Sequence, residues 1–160
     1  MKTGIILNMF GISAMFIAVS IARTGDNQTS GGIAFQYVEM LASRQDSISM
    51  LIDAMIQVES KGNDSAYCKR EEAVGCLQIR PIMLREVNRI LAMQSSQKRY
   101  KLSDRWSRAK SIEMFMVYKE YHHPHSTMQT IARCWNGGGD GHLMAETVGY
   151  WNRVKKEMAP

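Results

Sequence analysis

Residues 48–59 constrain the fold more than any other stretch of the chain. Ile48, Leu51, Ile52, Met55 and Ile56 recur at the spacing of a helix with one buried face. Glu59 lies four residues after Met55 and three after Ile56, so it belongs to that same face. Asp46 or Ser47 can cap the start, Lys61 suits the negative end of the helix dipole, and Gly62 is a good terminator. A chain folding around this helix must bury the stripe and take a carboxyl group with it. Desolvation disfavours the carboxylate, so such an acid keeps its proton toward neutral pH and can pass it to a leaving group. The alternative is a helix-end glutamate that reaches back to water.

The chain has 160 residues, enough for one domain whose core needs no staple. Hydrophobic content of 45% and charged content of 22% are ordinary for a globular protein. A net charge of +5 suits an anionic partner, whether bacterial wall, nucleic acid or membrane surface, and equally a plain solvated surface. Arg80, Arg85, Arg89, Arg105 and Arg108 are scattered over two elements without a recognition helix, so no nucleic-acid partner is expected.

The N-terminus reads as a targeting segment. Met1-Lys2 precedes an apolar run from Ile5 to Ile21, no charge follows until Arg23, and Ser20 and Ala22 are small. This is the pattern of a signal peptide over residues 1–22, cut after Ala22, with an uncleaved anchor as the alternative. The domain is then expected outside the cytoplasm, periplasmic or extracellular, as a monomer with no stable membrane insertion after cleavage.

Cys68, Cys76 and Cys134 could give one disulfide and one free thiol, and Cys68 with Cys76 is the pair closest in sequence. No CxxC spacing is present, so no zinc site is expected. In His122-His123-Pro124-His125 the proline prevents a helical histidine pair, and the run reads as a surface turn. No metal and no cofactor are expected. The 13 methionines read as core filler.

Residues 23–32 read as a linker and 33–45 as a weak first helix, together a segment 23–46 that precedes the domain at 47–158. Within the domain the acid-bearing helix runs from about 47 to 60 and an irregular stretch follows to 79. Pro81 opens a helix carrying Met83, Val87, Ile90 and Leu91. Residues 94–103 are loop-like. Asp104 can cap a helix with Ala109, Ile112, Phe115 and Met116 inward, ending before Pro124. Ser126 can cap another with Met128, Ile131, Ala132 and Trp135, closed by the glycine-rich loop Asn136–Gly141. Val148, Trp151 and Val154 mark a last helix. Neither repeats nor strand hairpins are evident, and the chain reads as all-α.

Four runs stand in a telling order: Glu59-Ser60, then Gly75-Cys76-Leu77-Gln78-Ile79-Arg80-Pro81, then Ala132-Arg133-Cys134-Trp135-Asn136-Gly137-Gly138, then Thr147-Val148-Gly149-Tyr150. In order and approximate spacing they resemble the soluble lytic transglycosylases, over roughly residues 47–155. The resemblance implies a lysozyme-like helical fold with a groove beside the acid-bearing helix, and peptidoglycan glycan strands as the partner. It implies that Glu59 protonates the glycosidic oxygen between N-acetylmuramic acid and N-acetylglucosamine. The same group then takes the proton of the sugar's 6-hydroxyl, closing a 1,6-anhydro ring.

It also implies that Gln78 and Asn136 bind the sugar, with loop capping as the alternative for each, and that Tyr150 sits near the acid. Gly75 and Gly137 would let backbone approach the sugar. Ser60 falls in the motif and can equally finish the helix. Trp135 stands where the family has tyrosine, so sugar stacking and core packing both remain open. Asp64, Glu71 and Glu72 fall in the general stretch where goose-type lysozymes, which share the fold, carry acids, and one of them facing Glu59 across the groove would imply a lysozyme-type hydrolase. A module that keeps the fold but only binds the wall, within a secretion, conjugation or phage assembly, is the remaining alternative.

Overall fold

The computed structural model describes residues 29–159, with side chains from residue 32. The expected signal peptide at 1–22, and the linker up to residue 28, lie outside the described residues. Among the described residues no helix is long and apolar enough to cross a membrane. The chain divides into two compact units between Asp46 and Ser47.

The described chain is mostly helical, with five α-helices and one two-stranded sheet. Helix α1 spans Thr29–Ser60 without a break. The expected weak helix at 33–45 and the cap at Asp46 or Ser47 are thus replaced by one continuous helix. Residues 33–60 contain neither glycine nor proline, so nothing local stops it. Before the unit boundary α1 exposes Ile33, Phe35, Tyr37, Val38 and Met40. Beyond it, Ile48, Leu51, Ile52, Ala54, Met55 and Ile56 are buried, as the stripe requires. Helix α1 ends in a left-handed turn at Lys61 (φ 54°) and Gly62 (φ 77°), with Lys61 just outside the helix.

A short antiparallel hairpin follows, β1 (Tyr67–Cys68) paired with β2 (Ala73–Val74), where no hairpin was expected. Two-residue strands leave too little alternation to read from sequence. A buried arginine holds this hairpin. Arg105 donates from Nη1 to the carbonyls of Glu72 and Ile79, both at 2.8 Å, and from Nε to Leu102 at 3.1 Å. Ser111 in turn donates to the Arg105 carbonyl at 2.9 Å. Buried charge is tolerated when its donors are matched in this way. Gly75 packs against the same carbonyl: at its φ of 78° a Cβ would come within 2.1 Å of Arg105 O.

Helix α2 (Pro81–Met93) buries Leu84, Val87, Ile90 and Leu91. A 3-10 turn at Leu102–Trp106 leads into α3 (Arg108–His122). Ser107 caps α3 by accepting from the Lys110 N–H, while Asp104, the expected cap, accepts from the Lys101 N–H in the turn before it. The start is therefore later; Phe115 is buried as expected and Ile112 and Met116 pack against the core, but Ala109 is exposed, and Ser111, Met114, Tyr118 and Lys119 are buried as well. Helix α3 stops at His122, ahead of Pro124 as expected.

Thr127, not Ser126, caps α4 (Met128–Gly137). A second 3-10 turn, Gly141–Leu143, precedes α5 (Glu146–Glu157), which buries Thr147, Tyr150 and Val154. The inward face of α5 is set by Tyr150 rather than by Val148, which is exposed. One core joins the second half of α1, Cys76, Leu77 and Ile79 just after the hairpin, and helices α2 to α5.

The three cysteines are thiols, so the expected Cys68–Cys76 bridge is not formed. Cys68 is paired across the hairpin with Ala73, whereas Cys76 is buried in the core past the Gly75 turn. His122 pairs with Glu86 at 2.7 Å and His123 is buried, so the histidine run is not the plain surface turn expected from its proline.

Candidate active site

Glu59 occupies the last turn of α1, one turn beyond the fully buried Met55 and Ile56. Its residue is half-buried. Burial pushes its pKa from the usual 4.5 up to about 7. The Tyr150 phenol and the charges of Arg153 and Arg80 work in the opposite direction, and Glu71 adds to the rise. The carboxyl group is thereby poised near neutrality, where one group can both give and take a proton.

Tyr150 comes from α5 and is buried. Its Oη has no partner of hydrogen-bonding geometry. Its contact with the Glu59 carboxyl is therefore a close electrostatic one and not a closed hydrogen bond. Burial, followed by the Glu59 charge, holds the Tyr150 pKa well above that of a free phenol. The hydroxyl stays protonated, an unspent donor beside an acid.

Two arginines complete the electrostatics, and the sequence reading assigns neither to the site. Arg80 directly precedes α2, and its Nη1 lies 3.6 Å from Glu71. Arg153 lies one turn after Tyr150 on α5. Its Cζ is 5.7 Å from the centre of the Tyr150 ring, and its Nη1 donates to the Gly149 carbonyl at 3.3 Å. The spacing of three from Tyr150 was the available signal, since residues so placed share a helix face.

The three candidate second carboxylates separate clearly. Asp64 pairs with Arg108 at 3.0 Å, and its charge bears on the Cys76 thiol. Glu72 is exposed and its charge bears on Arg105. Glu71 alone of the three stands among the groups that act on Glu59, and its two oxygens face Arg70 at 3.0 Å and Arg80 at 3.6 Å.

The remaining motif residues divide by how much of their polarity is already used. Gln78 donates from Nε2 to the carbonyls of Ala66 (3.2 Å) and Gly75 (3.0 Å), so its amide nitrogen closes the loop around the hairpin. Ser60 Oγ donates back to the Ile56 carbonyl at 3.2 Å, which finishes the helix. Trp135 is 6% exposed and packs edge-on against Phe115 and Tyr118, with ring centres 5.1 and 5.7 Å away. It is a core residue in this fold and presents no open face for stacking.

Gly137 and Gly75 do allow close approach, but the approach is to protein. A Cβ on Gly137 would meet Thr147 Cγ2 at 2.7 Å, and Gly75 meets Arg105 as described above. The Asn136 side chain is exposed and hydrogen-bonds to no described residue, so its amide is free for a ligand. Among the described residues no group of three His, Cys, Asp or Glu side chains is placed to hold a metal ion. The structure thus brings Glu59 and Tyr150 together with Glu71, Arg80 and Arg153, and gives Ser60, Trp135 and the glycines internal duties. No known protein-family profile matches the chain, and no curated protein sequence matches it.

Proposed function

We propose that this chain is a lytic transglycosylase of lysozyme-like fold that cleaves peptidoglycan between N-acetylmuramic acid and N-acetylglucosamine, outside the cytoplasm and without a cofactor. One observation carries the reading: the Glu59 carboxyl is poised near pH 7 at the end of an apolar helix face, beside a buried phenol with an unspent proton. Glu59 gives its proton to the glycosidic oxygen as the bond to the anomeric carbon breaks. The carboxylate left behind takes the proton of the muramoyl 6-hydroxyl as that oxygen bonds to the same carbon. The cycle returns Glu59 to its starting state and consumes no water. The Tyr150 phenol eases the interval in which Glu59 is charged, because it favours the ionised form.

The engagement of Asp64 by Arg108 supports the one-carboxyl route, since hydrolysis with two acids needs the second one free to hold a water. A hydrolytic reading rests on Glu71, which alone of the three candidate acids acts on Glu59. It would have to leave Arg70 and Arg80 to serve. Release of soluble fragments from purified sacculi, followed across pH with the parent and Glu59→Gln, tests the proposal. The rate is expected to fall on the alkaline side with a midpoint near 7, and to drop by at least about 100-fold in the variant. A folded parent that releases nothing would leave only a wall-binding module.

A further inference from the structure

Two aromatic rings that the Glu59 site does not use share one stretch of open surface. Tyr67, on β1, is 58% exposed, and Trp106, at the end of the first 3-10 turn, is 42% exposed. Their ring centres lie 6.3 Å apart with the planes tilted by 43°, so each meets the other obliquely and keeps much of its surface free. Leu102, which opens the same turn, is exposed as well. The side chains that bear on Glu59 are Tyr150, Arg153, Arg80 and Glu71, and neither ring is among them. A buried group fixes the pair instead. Arg105, next to Trp106 in sequence, donates to the carbonyl of Glu72 in the hairpin and to that of Leu102 in the turn. One guanidinium thus ties together the two elements that carry the rings, and their placement is set before any ligand arrives.

The size and chemistry of this surface select its ligand. Solitary exposed apolar residues are ordinary, whereas two aromatic rings in contact and left in water mark a binding surface. A stable protein interface needs about 1,000 Å² or more with an apolar centre. Here the turn that carries Trp106 is otherwise polar, with Ser103 and Asp104, and Lys101 and Glu72 beside the two elements are exposed. A pyranose ring fits so small a patch: its C–H face is apolar and can lie on an aromatic ring, while its hydroxyls stay in water. We propose that Tyr67 and Trp106 form a second glycan-binding site, separate from Glu59, that holds a strand of the wall while another stretch of glycan is cut. This rests on the proposed wall-cleaving function. The second hold acts on insoluble wall, where it keeps the enzyme on its substrate between cuts, whereas a short soluble fragment fills only one site at a time.

The test sediments the full chain carrying Glu59→Gln with purified, protease-treated sacculi, alone and combined with Trp106→Ala, Tyr67→Ala or Trp106→Phe. Retention is expected to weaken about tenfold with either alanine and to recover in part with phenylalanine, which keeps a ring. Should an alanine variant fail to fold, tryptophan emission decides: long glycan strands are expected to change it in the Glu59→Gln protein, and the change should be lost with Trp106→Phe. In the chain that keeps Glu59, Trp106→Ala is expected to slow release from sacculi about tenfold more than cleavage of short soluble glycan. An equal loss on both substrates would put the rings in the cleavage site and overturn the inference, and so would retention that both alanine variants leave unchanged. Retention seen only on sacculi that still carry protein would mean a protein partner and overturn it too. If the parent cleaves nothing, the sedimentation and emission results still stand by themselves: ring-dependent retention supports the inference, and its absence overturns it.

Discussion

Replacing Glu59 by glutamine should stabilise the protein at alkaline pH and leave it unchanged in acid. The folded chain holds the Glu59 proton up to about pH 7, against a usual value of 4.5. Between those values the folded state binds more protons than the unfolded one, so stability is complete below the lower value and falls as pH rises. The interval from 4.5 to about 7 corresponds to about 3 kcal/mol. That figure is a ceiling, because the residue is only half-buried and water screens part of the charge. Glutamine keeps the shape and has no charge to bury. Urea unfolding of both proteins across pH gives the difference directly, and other titrating groups cancel in it. The difference should be near zero at about pH 4 and reach about 2–3 kcal/mol in favour of glutamine at about pH 8. A flat difference, or a glutamine variant that is the weaker at alkaline pH, would refute the claim that Glu59 is a desolvated acid.

Three further outcomes follow from the same geometry. Tyr150→Phe removes a group that favours the Glu59 carboxylate, so the alkaline limb of the pH–rate profile should move to higher pH; because the Oη has no partner to lose, the Tm should hold or rise. Gly75→Ala forces a Cβ to within 2.1 Å of the Arg105 carbonyl at a positive φ, and should cost about 3 kcal/mol or more by urea unfolding. Asp64→Asn and Glu72→Gln should leave the identity of the released products unchanged, whereas a hydrolase that uses either residue would lose its reducing-end products.

The apolar stripe of α1 was legible because its period is local, and Glu59 could be placed on it by counting. The caps were not: Ser107 and Thr127 each win over a neighbouring Asp104 or Ser126 that looks as suitable, and the choice is made by where the helices dock. The inward face of α3 was legible only in part, at Ile112, Phe115 and Met116, for a related reason. Ser111 and Lys119 are buried there, the first because the Arg105 carbonyl takes its hydroxyl proton, the second because its amine still reaches Glu120 at 2.6 Å. A hydrophobicity pattern has no way to anticipate either. Trp135 shows the limit of motif reading, since a residue in a substrate-binding run can serve the core. Arg80 and Arg153 are far from Glu59 in sequence and approach it only through the fold.

The most direct test of the account is mass spectrometry of muropeptides released from purified sacculi by the full chain, with Glu59→Gln beside it. 1,6-Anhydro-ended fragments are expected from the parent and none from the variant. Fragments ending in reducing sugars would contradict the one-carboxyl route and turn attention to Glu71, and undiminished release by the Glu59→Gln protein would contradict the central claim outright.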